Sequence, residues 1–328
     1  MIAIIGAGAW GTALAITAQK AGNDVIIWAL ETNVANSINK QRENLIYLPG
    51  LKLTHGIKAT TNVIDIVSAP IILLALPAQH MRKTLEPLVS RIPRKTPLVI
   101  CSKGIEQKSM ELMSEVLATS FPKNPILVMS GPTFAAEVAA GMPAAVTLAA
   151  KNIKIAEQVA DQIGSETFRP YTSDDVIGAQ VGGAIKNVLA IACGIADGRE
   201  LGNNARAALI TRGLAEIRRL FIAKGGKSGT LMGLSGIGDL VLTCTSTKSR
   251  NYSLGFALGQ GRLLTDIMKE RNSIAEGVYT ASAAAALANS LSIEMPITFA
   301  VDEILNGGKD IDTVVSTLLS RPLKAEEH

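Results

Sequence analysis

Apolar residues follow two patterns along the chain. Up to about residue 172 they come as short runs, at 1–5, 24–28, 70–77, 97–101, 126–129, 144–149 and 167–171. Apolar runs of this length, bounded by Gly, Pro and polar residues, read as buried strands. Helical spacing falls between them at 12–20, 78–90 and 152–163. Strands alternating with helices predict a parallel sheet with helices on both faces. From about Ser173 only helical patterns remain, at 176–196, 204–224, 252–260, 280–290, 297–305 and 311–319. Ser173-Asp174-Asp175 supplies a hydroxyl cap and first-turn carboxylates for the first of these. No internal repeat or low-complexity segment interrupts the order.

The turn after the first strand reads Gly6-Ala7-Gly8-Ala9-Trp10-Gly11. GxGxxG between a strand and a helix is the fingerprint of a dinucleotide site. Gly6 permits the tight turn, Gly8 lets a pyrophosphate approach the backbone, and Gly11 lets helix pack on strand. The helix N-terminus attracts the anion. After the second strand comes Leu30-Glu31, where an acidic side chain either meets the ribose of NAD or begins the next helix. Ligands of such sheets bind beyond the carboxyl ends of the strands, where Leu76-Pro77, Lys103 and Gly131 to Thr133 fall. Lys103 is a surface lysine or an anion contact. The expected fold is an α/β N-terminal dinucleotide-binding (Rossmann-like) domain, residues 1–172, joined to an all-α C-terminal domain, residues 173–328.

Within the helical half, residues 176–196 carry a single charge, Lys186. Gly182 and Gly183 precede it by one helical turn, leaving a bare face beside the ammonium. Lys186 either snorkels its head to water or is functional with a lowered pKa. The stretch is about long enough to span a bilayer, but Lys186, Gln180, Asn187 and its glycines argue against that. Further on, a glycine-rich segment leads to Asp239, with Thr243 four residues later on the same helical face. Asp239 is a helix cap or a site residue. Ser249-Arg250-Asn251 before a helix makes either a phosphate cradle or a solvated basic loop.

Composition narrows the partners. The net charge of +4 on 328 residues, without a basic run, makes nucleic acid a poor partner and suits a small anionic substrate. Cys101, Cys193 and Cys244, with His55, His80 and His328, have no metal-ligand spacing, so no metal is expected. Scattered cysteines suit a reducing, cytoplasmic setting. No signal peptide is expected, because Met1 runs straight into a strand.

Taken together, GAGAWGTALA at Gly6, SKGIE at Ser102, SGPTFAAEV at Ser130 and GGAIKNVLAIACGIADG at Gly182 closely resemble the soluble, bacterial-type NAD(P)-dependent glycerol-3-phosphate dehydrogenases. So do AALITRGLAEIRRL at Ala207, GLSGIGDLVLTCTS at Gly233, SRN at Ser249 and EGVYTA at Glu276. The resemblance implies interconversion of dihydroxyacetone phosphate and sn-glycerol 3-phosphate by hydride transfer, supplying glycerophospholipid synthesis. It makes Lys186 the general acid/base. It assigns Lys103, Gly131, Thr133, Lys186, Asn187, Asp239, Thr243, Ser249, Arg250 and Asn251 to the substrate. To the cofactor it assigns Ala9, Trp10, Lys103, Ala135, Arg250, Ile274 and Glu276, beside the glycines of the turn. Many members carry a basic residue or histidine where this chain has Leu30, near the adenosine phosphate. With Leu30 and Glu31 here, the cofactor is NAD or NADP without a strong NADP preference. A homodimer is implied. Dehydrogenases of 3-hydroxy acids or 6-phosphogluconate, and a non-catalytic nicotinamide-responsive regulator, are the competing readings. The GDLVLTCTS and SRN segments, and Lys186, Asp239 and Arg250 together, speak against them.

Overall fold

The computed structural model describes residues 1–270 and 275–322. The first half runs β1 (Ile2–Ile5), α1 (Ala9–Lys20), β2 (Val25–Trp28), α2 (Thr32–Asn36), β3 (Glu43–Asn44), β4 (Leu48–Lys52), β5 (Ile57–Thr60), β6 (Ile72–Leu74), α3 (Met81–Leu85), β7 (Leu98–Ile100), α4 (Met113–Ser120), β8 (Ile126–Ser130), α5 (Ala135–Ala139), β9 (Ala144–Ala150), α6 (Ile153–Ile163) and β10 (Phe168–Ser173). Eight strands make one sheet in the order β10-β9-β8-β7-β6-β1-β2-β5, and β3 pairs only with β4. Two apolar layers cover it, one centred on Ile4, Leu14 and Val99, the other on Ile5, Leu74 and Phe121. The strands are apolar on both faces because both faces are covered.

The strands from β5 to β8 are parallel, but β9 runs antiparallel to β8, and β10 follows β9. The connection explains the reversal. The five-residue α5 advances about 8 Å, whereas the five residues of β8 span about 16 Å. The chain is not carried back to the start of β8, so the next strand returns beside it. The helix expected over 78–90 is broken into α3 and flanking tight turns. Pro87 has no N–H to continue it. The β3–β4 hairpin and the half-polar edge strand β5 have no counterpart in the hydrophobic pattern of the sequence.

Beyond β10, all regular structure among the described residues is helical. It comprises α7 (Val176–Gly198), α8 (Gly202–Ala223), α9 (Ser228–Leu231), α10 (Asp239–Cys244), α11 (Arg250–Gly259), α12 (Leu264–Lys269), α13 (Glu276–Ser290), α14 (Pro296–Leu305) and α15 (Ile311–Leu319). The cap of α7 is Asp175, not Ser173. Its Oδ1 accepts from Gly178 N at 2.8 Å and its Oδ2 from Lys227 N at 2.8 Å, while Ser173 Oγ accepts from Asp175 N. Length and composition would let α7 cross a membrane, yet 94% of its most apolar window is buried inside this fold. It packs against α8, α10, α11 and α13 and also touches β8 and β9.

Glycines set how closely those neighbours approach. A Cβ on Gly194 would lie 2.1 Å from Tyr252 O, and one on Gly255 2.1 Å from Ile191 O. Gly198 and Gly259 meet the same partner helix in the same way. α7 and α11 therefore touch backbone to backbone, the approach that small residues allow between helices. This contact brings the N-terminus of α11 beside the middle of α7.

Candidate active site

The turn after β1 has the form its glycines require. Gly6 adopts φ +112°, and a Cβ on Gly11 would sit 1.8 Å from Gly6 O. Gly8 has nothing within 4 Å of its Cβ position, so the turn opens there onto free space. No side chain caps α1, leaving its first-turn N–H groups for an anion. Ala9 and Trp10, in that first turn, are half-buried. α5 packs on α1 and brings Ala135 to its side. Leu30 stands 74% exposed after β2. These residues fit a nicotinamide dinucleotide: an open backbone approach, an uncapped helix terminus and an acidic side chain, Glu31, beyond the second strand.

The parallel strands put four loop starts on one edge of the sheet. Gly6 follows β1, Leu76-Pro77 follows β6, Lys103 follows β7 and Gly131 follows β8. Lys103 Nζ donates to Gly131 O at 3.1 Å and to Asp239 Oδ2 at 2.7 Å. Asp239, 1% exposed, starts α10, and its Oδ1 accepts from Lys186 Nζ at 2.5 Å. Lys186 also donates to Thr243 Oγ1 at 2.8 Å, and Thr243 donates to Asp239 O at 2.6 Å. One carboxylate thus holds two ammonium groups, and Asp239 is not merely a helix cap. Thr133 donates to Gly131 O at 3.1 Å beside this group.

Lys186 is 6% exposed and does not snorkel. Burial drives its pKa down from 10.5 to about 7, Asp239 opposes the fall, and Lys103 reinforces it. Gly182 and Gly183 do not open that face to a substrate. A Cβ on Gly182 would lie 2.3 Å from Ser235 O, and one on Gly183 2.8 Å from Ser130 Oγ and 3.5 Å from Lys103 Cγ. The bare face admits the 234–238 turn and the Lys103 stem. Substrate access must come from another side.

Around this cluster, Ser249 caps α11, its Oγ accepting from Tyr252 N at 3.2 Å. Arg250 is exposed in the first turn. Asn251 Nδ2 donates to Asn187 Oδ1 at 2.9 Å, and Asn251 Oδ1 accepts from Gly277 N at 3.1 Å. Asn251 therefore ties α7, α11 and α13 together. Glu276, at the start of α13, is half-buried and lies against Ala78. Burial pushes it up to about 7, and Arg250 is the largest opposing influence. A cavity of about 160 Å³ adjoins it, lined by Pro77, Gln79, His80, Gln107, Tyr279 and Thr280. Ile274 lies outside the described residues, as does His328. Asn44 and Tyr47, which the sequence did not single out, touch this region from the hairpin, Asn44 through Ala7 O and Thr12 Oγ1 and Tyr47 through Glu31.

Models of the NAD-dependent glycerol-3-phosphate dehydrogenase N-terminus and C-terminus match residues 1–156 and 175–316. The chain belongs to the NAD-dependent glycerol-3-phosphate dehydrogenase family. It is 52% identical over 325 residues to a glycerol-3-phosphate dehydrogenase, NAD(P)+, of Parvibaculum lavamentivorans, covering 99% of this chain and 98% of the relative. With the Rhodospirillum rubrum protein of the same description it shares 54% over 326 residues, 99% and 93% of the two chains. Its fold is similar to the crystal structure of glycerol-3-phosphate dehydrogenase from Coxiella burnetii, with a TM-score of 0.94, 40% identity and 98% of each chain covered. In this chain the GxGxxG turn lies in the stretch matched by the N-terminal model, and Lys186 and Asp239 lie in the stretch matched by the C-terminal model.

Proposed function

We propose that this chain interconverts dihydroxyacetone phosphate and sn-glycerol 3-phosphate with NAD or NADP, using Lys186 as general acid/base. The observation that carries the reading is the buried Lys186–Asp239–Lys103 cluster at the sheet edge that also bears the dinucleotide turn. The division of labour follows the fold. Residues 1–172 bind the dinucleotide, and residues 173–328 supply the acid/base and the phosphate site.

A dinucleotide held with its pyrophosphate at the turn would supply or accept a hydride at C2 of the substrate. The chain's own groups do the rest. As hydride reaches the carbonyl carbon, charge grows on its oxygen, and the Lys186 ammonium stabilises that charge and delivers the proton. In the oxidising direction the neutral amine takes the hydroxyl proton. A pKa near 7 keeps both forms populated at neutral pH, where an acid/base catalyst works best. Asp239 fixes the orientation of Nζ and keeps Lys103 beside it. Arg250, the first-turn N–H groups of α11 and the second Nδ2 hydrogen of Asn251 hold the phosphate dianion and so position C2. Lys103, Gly131, Thr133, Asn187 and Thr243 complete the wall around the reacting carbon. Glu276, Ala135, Trp10 and Leu30 line the cofactor side.

The product is the glycerol phosphate unit of glycerophospholipids, and supplying their synthesis is the role that fits. Three buried, unpaired cysteines suit a reducing cytoplasm. A homodimer through the helical half is favoured by exposed Leu201 and by Ala207, Ala208 and Thr211 along one exposed side of α8. Light scattering on the purified protein tests it. The deciding experiment for the activity is reduction of dihydroxyacetone phosphate with NADH and NADPH over a range of concentrations. Absence of turnover with both, in protein that binds NADH, would leave the regulator reading instead.

A further inference from the structure

The β3–β4 hairpin stands apart from the main sheet, yet it is tied to the cofactor turn. Asn44, with no exposed surface, directs its amide nitrogen at that turn. Nδ2 donates to Ala7 O at 2.8 Å and to Thr12 Oγ1 at 2.8 Å, while Oδ1 accepts from Tyr47 N at 3.1 Å. One side-chain amide therefore spans GxGxxG from its second residue to the residue after its last glycine. Ala7 C=O and Gly8 N–H belong to the same planar trans peptide and point in opposite directions. Drawing the carbonyl to Asn44 aims the Gly8 N–H away from the hairpin. The Gly8 Cβ position has no neighbour within 4 Å, which leaves a phosphate room to approach.

The same hairpin reaches the adenosine end. Tyr47 Oη donates to Glu31 Oε1 at 2.9 Å. Glu31 is the acidic side chain after β2, where a ribose diol is accepted and a 2′-phosphate is repelled. Side-chain bonds tie the hairpin together. Glu43 accepts from Lys52 Nζ at 2.6 Å and Gly50 N at 2.8 Å across it, and Ser37 Oγ donates to Glu43 O at 2.6 Å.

We propose that the β3–β4 hairpin is the positioning element of the dinucleotide site, with Asn44 setting the peptide between Ala7 and Gly8 and Tyr47 setting Glu31. Asn44 governs affinity for both dinucleotides, and Tyr47 governs discrimination between NADH and NADPH. This rests on the reading of the turn as the cofactor site.

The test uses the full chain. In Asn44→Ala and Asn44→Asp, NADH Kd measured by fluorescence weakens about tenfold or more. Their kcat at saturating NADH and KM for dihydroxyacetone phosphate stay within about threefold. In Tyr47→Phe the NADH-to-NADPH ratio of kcat/KM falls about threefold or more. Wild-type Kd in both Asn44 variants, or equal losses in kcat and in KM for the ketone, overturns the role of Asn44. Should the Asn44 variants fail to fold, Tyr47→Phe still decides, because its half-buried ring remains and only the hydroxyl is lost. An unchanged cofactor ratio there overturns the proposal for Tyr47. Wild-type protein that neither binds NADH nor reduces the ketone would instead defeat the reading of the turn itself.

Discussion

Lys186→Met removes the proposed acid/base while leaving most of the buried stem's apolar volume in place. Asp239 does not become an uncompensated buried charge, because Lys103 still contacts it at 2.7 Å. The fold should therefore survive, and the loss should fall on chemistry. A positioned proton donor contributes roughly 10²–10⁴ in rate, and a fixed cation or donor at a developing oxyanion about 10²–10³. One group provides both effects, so they overlap, and kcat for ketone reduction should fall by about 10³–10⁵. NADH Kd should change less than about threefold, since no cofactor-turn residue is touched. In the wild type, reduction needs the ammonium and should slow as pH rises through about 7, while oxidation needs the amine and should quicken. Stability supplies an independent check. Between about 7 and 10.5 the unfolded chain holds a proton on Lys186 that the folded chain lacks. The site's contribution to stability therefore rises with pH across that window, by up to about 1.4 kcal/mol per pH unit. Lys186→Met should remove that rise from melting curves. A residual kcat above about a tenth of wild type, or a reduction rate that does not fall between about pH 6 and 8.5, would refute the assignment.

Gly11→Ala should abolish NADH binding and lower the melting temperature, because its Cβ would overlap Gly6 O at 1.8 Å. Gly8→Ala meets no protein atom and should lose cofactor affinity with little change in melting; the two variants compared by thermal shift and NADH fluorescence test that distinction. Arg250→Lys should raise KM for the phosphorylated ketone by about tenfold or more, because the guanidinium fork is lost although the charge remains. Unchanged KM in steady-state assays would count against the phosphate site. Glu216, 1% exposed, accepts from Ile297 N at 2.6 Å and from Thr298 N and Oγ1 at 3.1 and 2.9 Å, holding the start of α14. Burial raises its pKa from 4.5 to about 7, so its contribution to stability is full below 4.5 and is lost as pH rises through 7. The loss amounts to about 3 kcal/mol. Melting of Glu216→Gln at about pH 5 and 8 should show a smaller decline than wild type, and equal declines would exclude this source.

Local features were readable from residues alone. Gly6 takes the positive φ and Gly11 the close contact that the GxGxxG spacing requires, Gly8 faces open space, and the apolar run around Lys186 does form one long helix. Seven of the eight strands of the main sheet and the longer helices followed from periodicity, because both faces of the sheet and the middle of the helical half are apolar, whereas the short α2, α5, α9, α10 and α12 and the eight-residue α4 did not. The β3–β4 hairpin escaped because Glu43, Asn44, Pro49 and Gly50 break any period-2 pattern, and its strength lies in side-chain bonds. Asn44 resembles a loop residue until its two acceptors, 37 and 32 residues earlier in the chain, are seen. The reversal at β9 depends on the length of α5, which composition does not display.

The charge balance at Lys186 was beyond sequence for a different reason. Its apolar neighbours and Asp239 push its pKa in opposite directions, so the sign depends on distance and depth. Two close approaches fix those distances, and a third seats the neighbouring helix. Gly182 lets the 234–238 turn come against α7 and delivers Asp239, while Gly183 lets the Lys103 stem pass and delivers a second cation. Gly194 and Gly198 seat α11 and deliver Asn251 to Asn187. A Cβ at Gly182 or Gly183 would push the 234–238 turn or the Lys103 stem outward, and the same carboxylate could not then hold both lysines, whereas one at Gly194 or Gly198 would push α11 and Asn251 away. The glycines around Lys186 therefore act on chemistry through packing. They make a buried cation tolerable by bringing Asp239 to it, and they keep its pKa low by bringing Lys103 as well.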